Sequence, residues 1–595
     1  MAQESPGASL SVPLALPNLE AFERSVYGRA RVDRVAENDK ALGAMLSCLA
    51  LLGEGRPFEG RGRLTQVDLT RFCAAIVSLF TDPGFKLTLD GFLMACSRRS
   101  VLEACFMGSA FRSSDFVFET LTEDTENLNK YLVLYGLNSP TDLDLEAVFR
   151  KDPAGTIALY LSYIAHGQVF TEAGDARREK LLKLTHVFEG ASVPEYLISA
   201  IAGAYMHCSY AHGDEKHAPK YAFHKIMGPL MGEIPPSAVV SRDRPTLLVV
   251  FEWWNSKHAM YRCYIQSIKQ LRRDFRLVGM VRKGGSDPES LEVFDLVVEL
   301  DLDTERMQAC VAKVREVAPD VIYYPSIGMG IWVIGLASLR LAPVQIMSYG
   351  HPATSRSTEI DYGIIESDIH VPGCFSETMI TLPSGSIRFV PYAECKVRHQ
   401  AKRTDVVKVA IAAMQVKVSW PLIRTLQYVM ARATKKVELH FFSAVSGVAM
   451  EAFCNTIEKL LANTTVYEMA PYQDLMANIA ACDVCLFSFP FGGANSTIDA
   501  MTLGIPMLAM EGEEPHARTD ASLMRRAGLP ESLICHTERE YGDRLLSLID
   551  DDERMRVAEL VRAVDVEQFF KPDESNAFAD AFANIYRVSK LEKAA

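Results

Sequence analysis

Near Thr246 the periodicity of the chain changes, and that change sets what it can fold into. From about Leu19 to Met231 apolar residues recur at helical spacing, as in Leu69–Phe80 and Ala154–Tyr163, which predicts an all-helical region. No repeat near 34 residues aligns within it, so it is not a tetratricopeptide solenoid. From Thr246 onward, short apolar runs alternate with amphipathic ones: Thr246–Glu252, His258–Arg272, Leu277–Val281, Thr304–Val317, Val321–Tyr324, Val344–Tyr349 and Tyr362–Ile365. A second series begins at Val406 and includes Glu438–Phe442, Thr465–Tyr467, Val484–Phe489 and Pro506–Ala509. Alternating strand and helix units imply parallel, doubly wound sheets. With 595 residues, too many for one core, the expected plan is an all-α domain at 1–240, a Rossmann-like lobe at 241–400 and a second at 401–595, with a cleft between the lobes. Helical runs from Glu538 to the end complete the second lobe, with a crossing back to the first left open.

The run Phe489-Pro-Phe-Gly-Gly-Ala-Asn-Ser-Thr-Ile-Asp499 carries an apolar strand through a glycine turn into a helix that Gly504 closes. Asn495-Ser-Thr reads as the cap of that helix. Amides at such a start, approached closely across glycines, form a cradle for phosphate. Asp499, one turn past Asn495, faces the same way and suits ribose hydroxyls. Lys417 follows the strand Val407–Ala413 at its carboxyl end, the edge where open parallel sheets bind ligands, and its ammonium can neutralise a diphosphate.

A net charge of −13 argues against nucleic acid as the main partner. Thirteen cysteines without a framework read as reduced thiols of a cytosolic protein. Cys482 and Cys485 form a lone CxxC with no companion ligands, which reads as packing. The start, Met1-Ala-Gln-Glu-Ser-Pro, lacks the pattern of a secretory signal. The uncharged stretch Val321–Leu339 is broken by Pro325, Gly328, Gly330 and Gly335, so it reads as strand, turn and helix, not a membrane span. Asp301-Leu-Asp303 is a DxD triplet of the kind that can hold a metal, but Asp142-Leu-Asp144 shows how readily the triplet arises in an acidic chain. His207, His212 and His217, spaced by fives, would not converge on one helix, and no metal site is expected.

Several segments together resemble the cytoplasmic bacterial N-glycosyltransferases that modify high-molecular-weight adhesins. These enzymes belong with the O-GlcNAc transferases in glycosyltransferase family 41. The segments are Tyr205–Tyr210, Tyr324–Met329, Arg340–Gln345, Gly350–Thr354, Phe375–Thr378, Asp483–Asp499 and Gly528–Ile534. The resemblance covers nearly the whole chain. It implies a GT-B fold, two Rossmann-like lobes facing a cleft, preceded by the all-α domain. It also implies inverting, metal-independent transfer of a hexose, from UDP-glucose or UDP-galactose, to Asn in Asn-X-Ser/Thr sequons of a protein acceptor, with no cofactor.

Carried over residue by residue, Lys417 would contact the diphosphate, and Gly492, Gly493, Asn495, Ser496 and Thr497 would line it. Asp499 would hold the ribose, Met469 and Ala470 the uracil, and Gly350 and His351 would complete the nucleotide-sugar site. His258 matches a histidine needed for activity; packing or capping at a helix start is its plainer reading. His207, Tyr210 and Arg262 would lie on the acceptor side. Ala202-Gly203 stands where family members carry His-Asp, Val445 where they carry Gln, and Met469 where they carry His. Those departures leave open an O-GlcNAc-type transferase, another nucleotide-sugar enzyme such as an epimerase, or a non-catalytic adhesin-binding partner.

Overall fold

The computed structural model describes residues 19–28, 34–55, 64–121, 128–150, 153–188, 193–235, 243–302, 307–393 and 395–594. Two compact units emerge, one of residues 1–207 with 404–475, the other of 208–403 with 476–595. Among the described residues from Leu19 to Leu230 the regular elements are all helices, including Gln66–Phe80, Pro153–His166, Ile198–His207 and Ala218–Leu230. Gln66–Phe80 starts at Thr65 with a capping box to Asp68 and buries Leu69, Phe72, Cys73, Ile76 and Leu79 along one face.

Two parallel-sheet α/β lobes follow. In the first, strands β1 (Thr246–Val250), β2 (Arg276–Arg282), β3 (Leu296–Leu300), β4 (Val321–Tyr324), β5 (Val344–Ser348), β6 (Tyr362–Glu366) and β7 (Thr378–Leu382) lie in the order β3-β2-β1-β4-β5-β6-β7. Every pair is parallel, with Leu248 opposite Val278 on one side and Ile322 on the other. β1, β4 and β5 are buried at every position, as strands covered on both faces must be, and they are the strands that stand out as apolar runs. β3 and β7 do not show in the sequence pattern. These edge strands are half exposed, so their apolar residues form no continuous run.

Strands β8 (Val406–Ile411), β9 (Lys436–Val445), β10 (Thr464–Glu468), β11 (Val484–Leu486), β12 (Met507–Met510) and β13 (Ile534–Cys535) carry the second lobe. In the first unit β10-β9-β8 run parallel, and in the second unit β11-β12-β13 do. The chain does cross back. The last helix, Ala577–Ala594, sets Phe578, Phe582 and Ile585 into the core around β1 and β4, with Phe582 4.9 Å edge-on to Tyr323. Among the described residues no helix is long and apolar enough to cross a membrane. Thr304 and part of the segment before Thr246 lie outside the described residues.

Candidate active site

The glycine turn ends β11 and opens the helix Ala494–Leu503, closed by Gly504 at φ 72°. Its cap is Gly493, not Asn495, and no side chain caps it, so Asn495 and Ser496 sit inside the first turn. The first bond back along the helix is from the Thr497 N–H to the Gly493 carbonyl at 3.1 Å. The amides of Ala494, Asn495 and Ser496 therefore have no carbonyl one turn behind them, and all three residues are half exposed.

Asp520, 3% exposed, fixes that turn from behind. Its carboxylate accepts from the Gly493 N–H at 3.0 Å and the Thr497 hydroxyl at 2.8 Å, while the Gly492 N–H donates to the His516 carbonyl at 3.0 Å. A Cβ on Gly492 would stand 2.4 Å from Asp520 Oδ2, which explains the glycine there. Thr497 points its hydroxyl inward, and the open donors are the amides that follow Gly493. The sequence analysis did not single out Asp520, because an acid so far along the chain leaves no local pattern.

Asp499 pairs with Arg262 Nη2 at 2.9 Å, and Arg262 Nε also donates to the Val390 carbonyl at 3.1 Å. Arg262 is 4% exposed, so it ties the helix Ala259–Leu271 to the helix Ala494–Leu503 and orients the Asp499 carboxylate. Cys263, its neighbour, lies 3.6 Å from Asn495 Nδ2.

His258 caps Ala259–Leu271: its Nδ1 accepts from the Met260 N–H at 3.2 Å. Burial lowers its pKa, so the ring is neutral near pH 7. With Nδ1 accepting, the proton sits on Nε2, which is then a donor. His258→Asn keeps a capping side chain, so its melting temperature should stay near wild type while any chemical role is removed. Activity measured beside a thermal melt separates the roles, and full activity in that variant would reduce His258 to a cap.

Gly350 follows β5 in a space with no room for a side chain, its Cβ position 2.6 Å from the Pro325 carbonyl. His351 Nε2 lies 2.9 Å from Ser209 Oγ. The Phe491 ring is stacked between His351 at 5.5 Å and His516 at 5.0 Å, with Tyr210 edge-on at 4.7 Å. Tyr210 and His351 thus pack directly on the residue before the glycine turn.

The remaining predicted residues lie in the first unit. Lys417 ends a short turn just past β8 and is half buried, at the carboxyl end where its sequence position placed it. Met469 and Ala470 follow β10; both are exposed, Met469 at 63%, and the Met469 N–H donates to the Val445 carbonyl at 3.1 Å. His207 Nδ1 bonds the Ala165 carbonyl. Four residues earlier, a Cβ on Gly203 would come 3.0 Å from Ala165 Cβ. The two helices approach so closely that position 203 has no room for a carboxylate, which accounts for the glycine there.

Of the metal candidates, Asp301 pairs with Lys283 at 2.9 Å and Asp303 lies outside the described residues. Asp144 caps a helix by accepting from the Ala147 N–H at 3.0 Å. Histidine spacing gave no hint of one convergence: His217, Glu514 and His516 bring ligand-type atoms within 4.8 Å of one another.

With this geometry in place, comparison with known proteins assigns the class. A family profile described as "HMW1 domain 2" matches residues 146–228. The UDP-glucose:protein N-beta-glucosyltransferase of Actinobacillus pleuropneumoniae serotype 5b is 28% identical over 515 residues, spanning 81% of this chain and 83% of that protein. The enzyme of the same name from serotype 7 matches equally. A probable UDP-N-acetylglucosamine–peptide N-acetylglucosaminyltransferase of Hordeum vulgare is 24% identical over 37% of this chain and 24% of its own. An O-GlcNAc transferase of Thermobaculum terrenum, solved as a point mutant, shares the fold at a TM-score of 0.59, with 16% identity over 94% of this chain and 99% of that one. The chain has the GT-B fold of two parallel-sheet α/β lobes behind a helical region. Within that class its likeness is to the protein N-glycosyltransferases of family 41.

Proposed function

We propose that this protein transfers glucose from UDP-glucose to the side-chain nitrogen of Asn in Asn-X-Ser/Thr sequons of a protein acceptor, with inversion and without a metal ion. The observation that carries this reading is the similarity to UDP-glucose:protein N-beta-glucosyltransferases over 81% of the chain. Donor binding falls to the lobe at 401–595 and acceptor binding to the lobe at 241–400 with the helical domain at 1–240. All thirteen cysteines are free, which suits a reducing, cytoplasmic compartment.

The chemical difficulty is the carboxamide nitrogen, whose lone pair is delocalised into its carbonyl. Stabilising the departing UDP lowers the barrier from the other side. The open amides of Ala494, Asn495 and Ser496 are donors suited to developing phosphate charge, and the Lys417 ammonium supplies a full positive charge, each a role that a divalent cation fills elsewhere. Asp499, oriented by Arg262, takes ribose hydroxyls, and exposed Met469 and Ala470 meet the uracil. Displacement from the face opposite the leaving group inverts the anomeric carbon. The test is a donor panel of UDP-glucose, UDP-galactose and UDP-GlcNAc with a sequon peptide in EDTA. Glucose transfer that survives EDTA is expected; transfer only of GlcNAc, or only with added metal, would contradict the reading.

A further inference from the structure

Beside the glycine turn lies a buried polar cluster centred on Glu514. Glu514, whose side chain is 19% exposed, is its outlet to solvent. Lys216 Nζ lies 2.7 Å from Glu514 Oε1, His217 Nε2 3.0 Å from Oε2, and His516 Nδ1 3.4 Å from Oε2. Behind them Ser209 Oγ lies 3.5 Å from His217 Nδ1 and 2.9 Å from His351 Nε2. Lys216, His217 and His516 are each at most 4% exposed. Both ring nitrogens of His516 lack a hydrogen-bond partner, an expensive state for a buried group unless something else bonds them. The Gly492 bond to the His516 backbone and the His516–Phe491 stack join this cluster to the turn that presents the open amides.

A cation is poorly suited to this place. Lys216 already neutralises the carboxylate, and buried Lys220 with Arg356 adds positive charge around His217. Burial and these cations keep His217 and His516 neutral. The cluster instead offers, at its solvent edge, the carboxylate oxygens of Glu514, which accept, and the N–H donors of a primary carboxamide are their complement.

We propose that Glu514 is the acceptor-carboxamide subsite: its carboxylate, at the solvent edge of the cluster, takes an N–H of the asparagine side chain. This rests on the N-glycosyl transfer proposed above. As the nitrogen pair forms the bond to the anomeric carbon, the carbon–oxygen bond to UDP breaks and its electrons leave with the phosphate. The nitrogen then carries a surplus proton, which passes to Glu514. An amide nitrogen so alkylated is a strong acid, so even an ion-paired carboxylate suffices as its base, and Glu514, partly open to solvent, returns the proton to water.

The test compares wild type with Glu514→Gln for transfer to an Asn-X-Thr peptide, UDP affinity by titration, melting temperature and bound metal by elemental analysis. Transfer should fall about a hundredfold or more, with UDP affinity and melting temperature held. Wild-type transfer in the variant overturns the proposal while leaving the N-glycosyl reading intact; so does a parallel loss of UDP affinity, or a stoichiometric metal that only wild type carries. A wild type inert toward every Asn peptide overturns both. Should Glu514→Gln fail to fold, Glu514→Asp keeps the charge but draws the carboxylate back by a methylene, and full activity in that variant overturns the proposal.

Discussion

Lys417→Ala is expected to abolish transfer. A preorganised charge on the leaving group contributes roughly 3 to 4 kcal/mol at the transition state, so kcat should fall about two to three orders of magnitude. Lys417 is half buried, in a turn whose backbone closes on itself through the Lys417 N–H bond to the Met414 carbonyl. The backbone closes the turn whatever the side chain, so the melting temperature should stay near wild type. Single-turnover rates with saturating UDP-glucose report the chemical step directly. Near wild-type turnover in this variant would remove Lys417 from the leaving-group site.

Asp520→Ala should damage both stability and activity. It leaves the buried Gly493 N–H without its acceptor and removes the bond to the Thr497 hydroxyl. Stranding such donors costs about 2 to 4 kcal/mol in all, read as a lower urea midpoint with unchanged slope. The Thr497 hydroxyl has a fallback in the Gly493 carbonyl at 3.4 Å, so the amide carries most of the loss. Released from its clamp, the turn no longer presents the Ala494–Ser496 amides in one geometry, and UDP affinity should weaken with stability. Asp520→Asn keeps an oxygen acceptor and should recover most of both. An Asp520→Ala variant with wild-type stability would show that the turn holds its shape without the carboxylate.

What the sequence disclosed follows from physical range. β1, β4 and β5 are buried on both faces and announce themselves as apolar runs; β3 and β7, half exposed at the sheet edges, do not. The glycine turn was visible because strand, Gly492-Gly493 and Gly504 are contiguous. Its cap was misplaced by two residues, because Asn495 is a strong capping residue by type, whereas Asp520 satisfies the Gly493 amide from 27 positions away. Arg262 and Asp499 stood as separate candidates, and only the packing of their helices shows that they pair. The Glu514 cluster draws on Ser209, Lys216, His217 and His351 from far upstream, so no spacing rule could assemble it. His258 shows the opposite case: capping or packing at a helix start stood in the sequence as the plainer alternative to its chemical role, and the observed capping bond sets which nitrogen carries the proton.

The central claim, transfer of a hexose to asparagine nitrogen, is tested most directly by intact-mass analysis of two peptides that differ only in Asn-X-Thr against Gln-X-Thr. Each is incubated with the purified protein and UDP-glucose. The account predicts one added hexose on the asparagine peptide and none on its glutamine twin. Equal gain on both peptides would place the sugar on another side chain, and no gain on either, with UDP bound, would contradict the assignment of this site to N-glycosyl transfer.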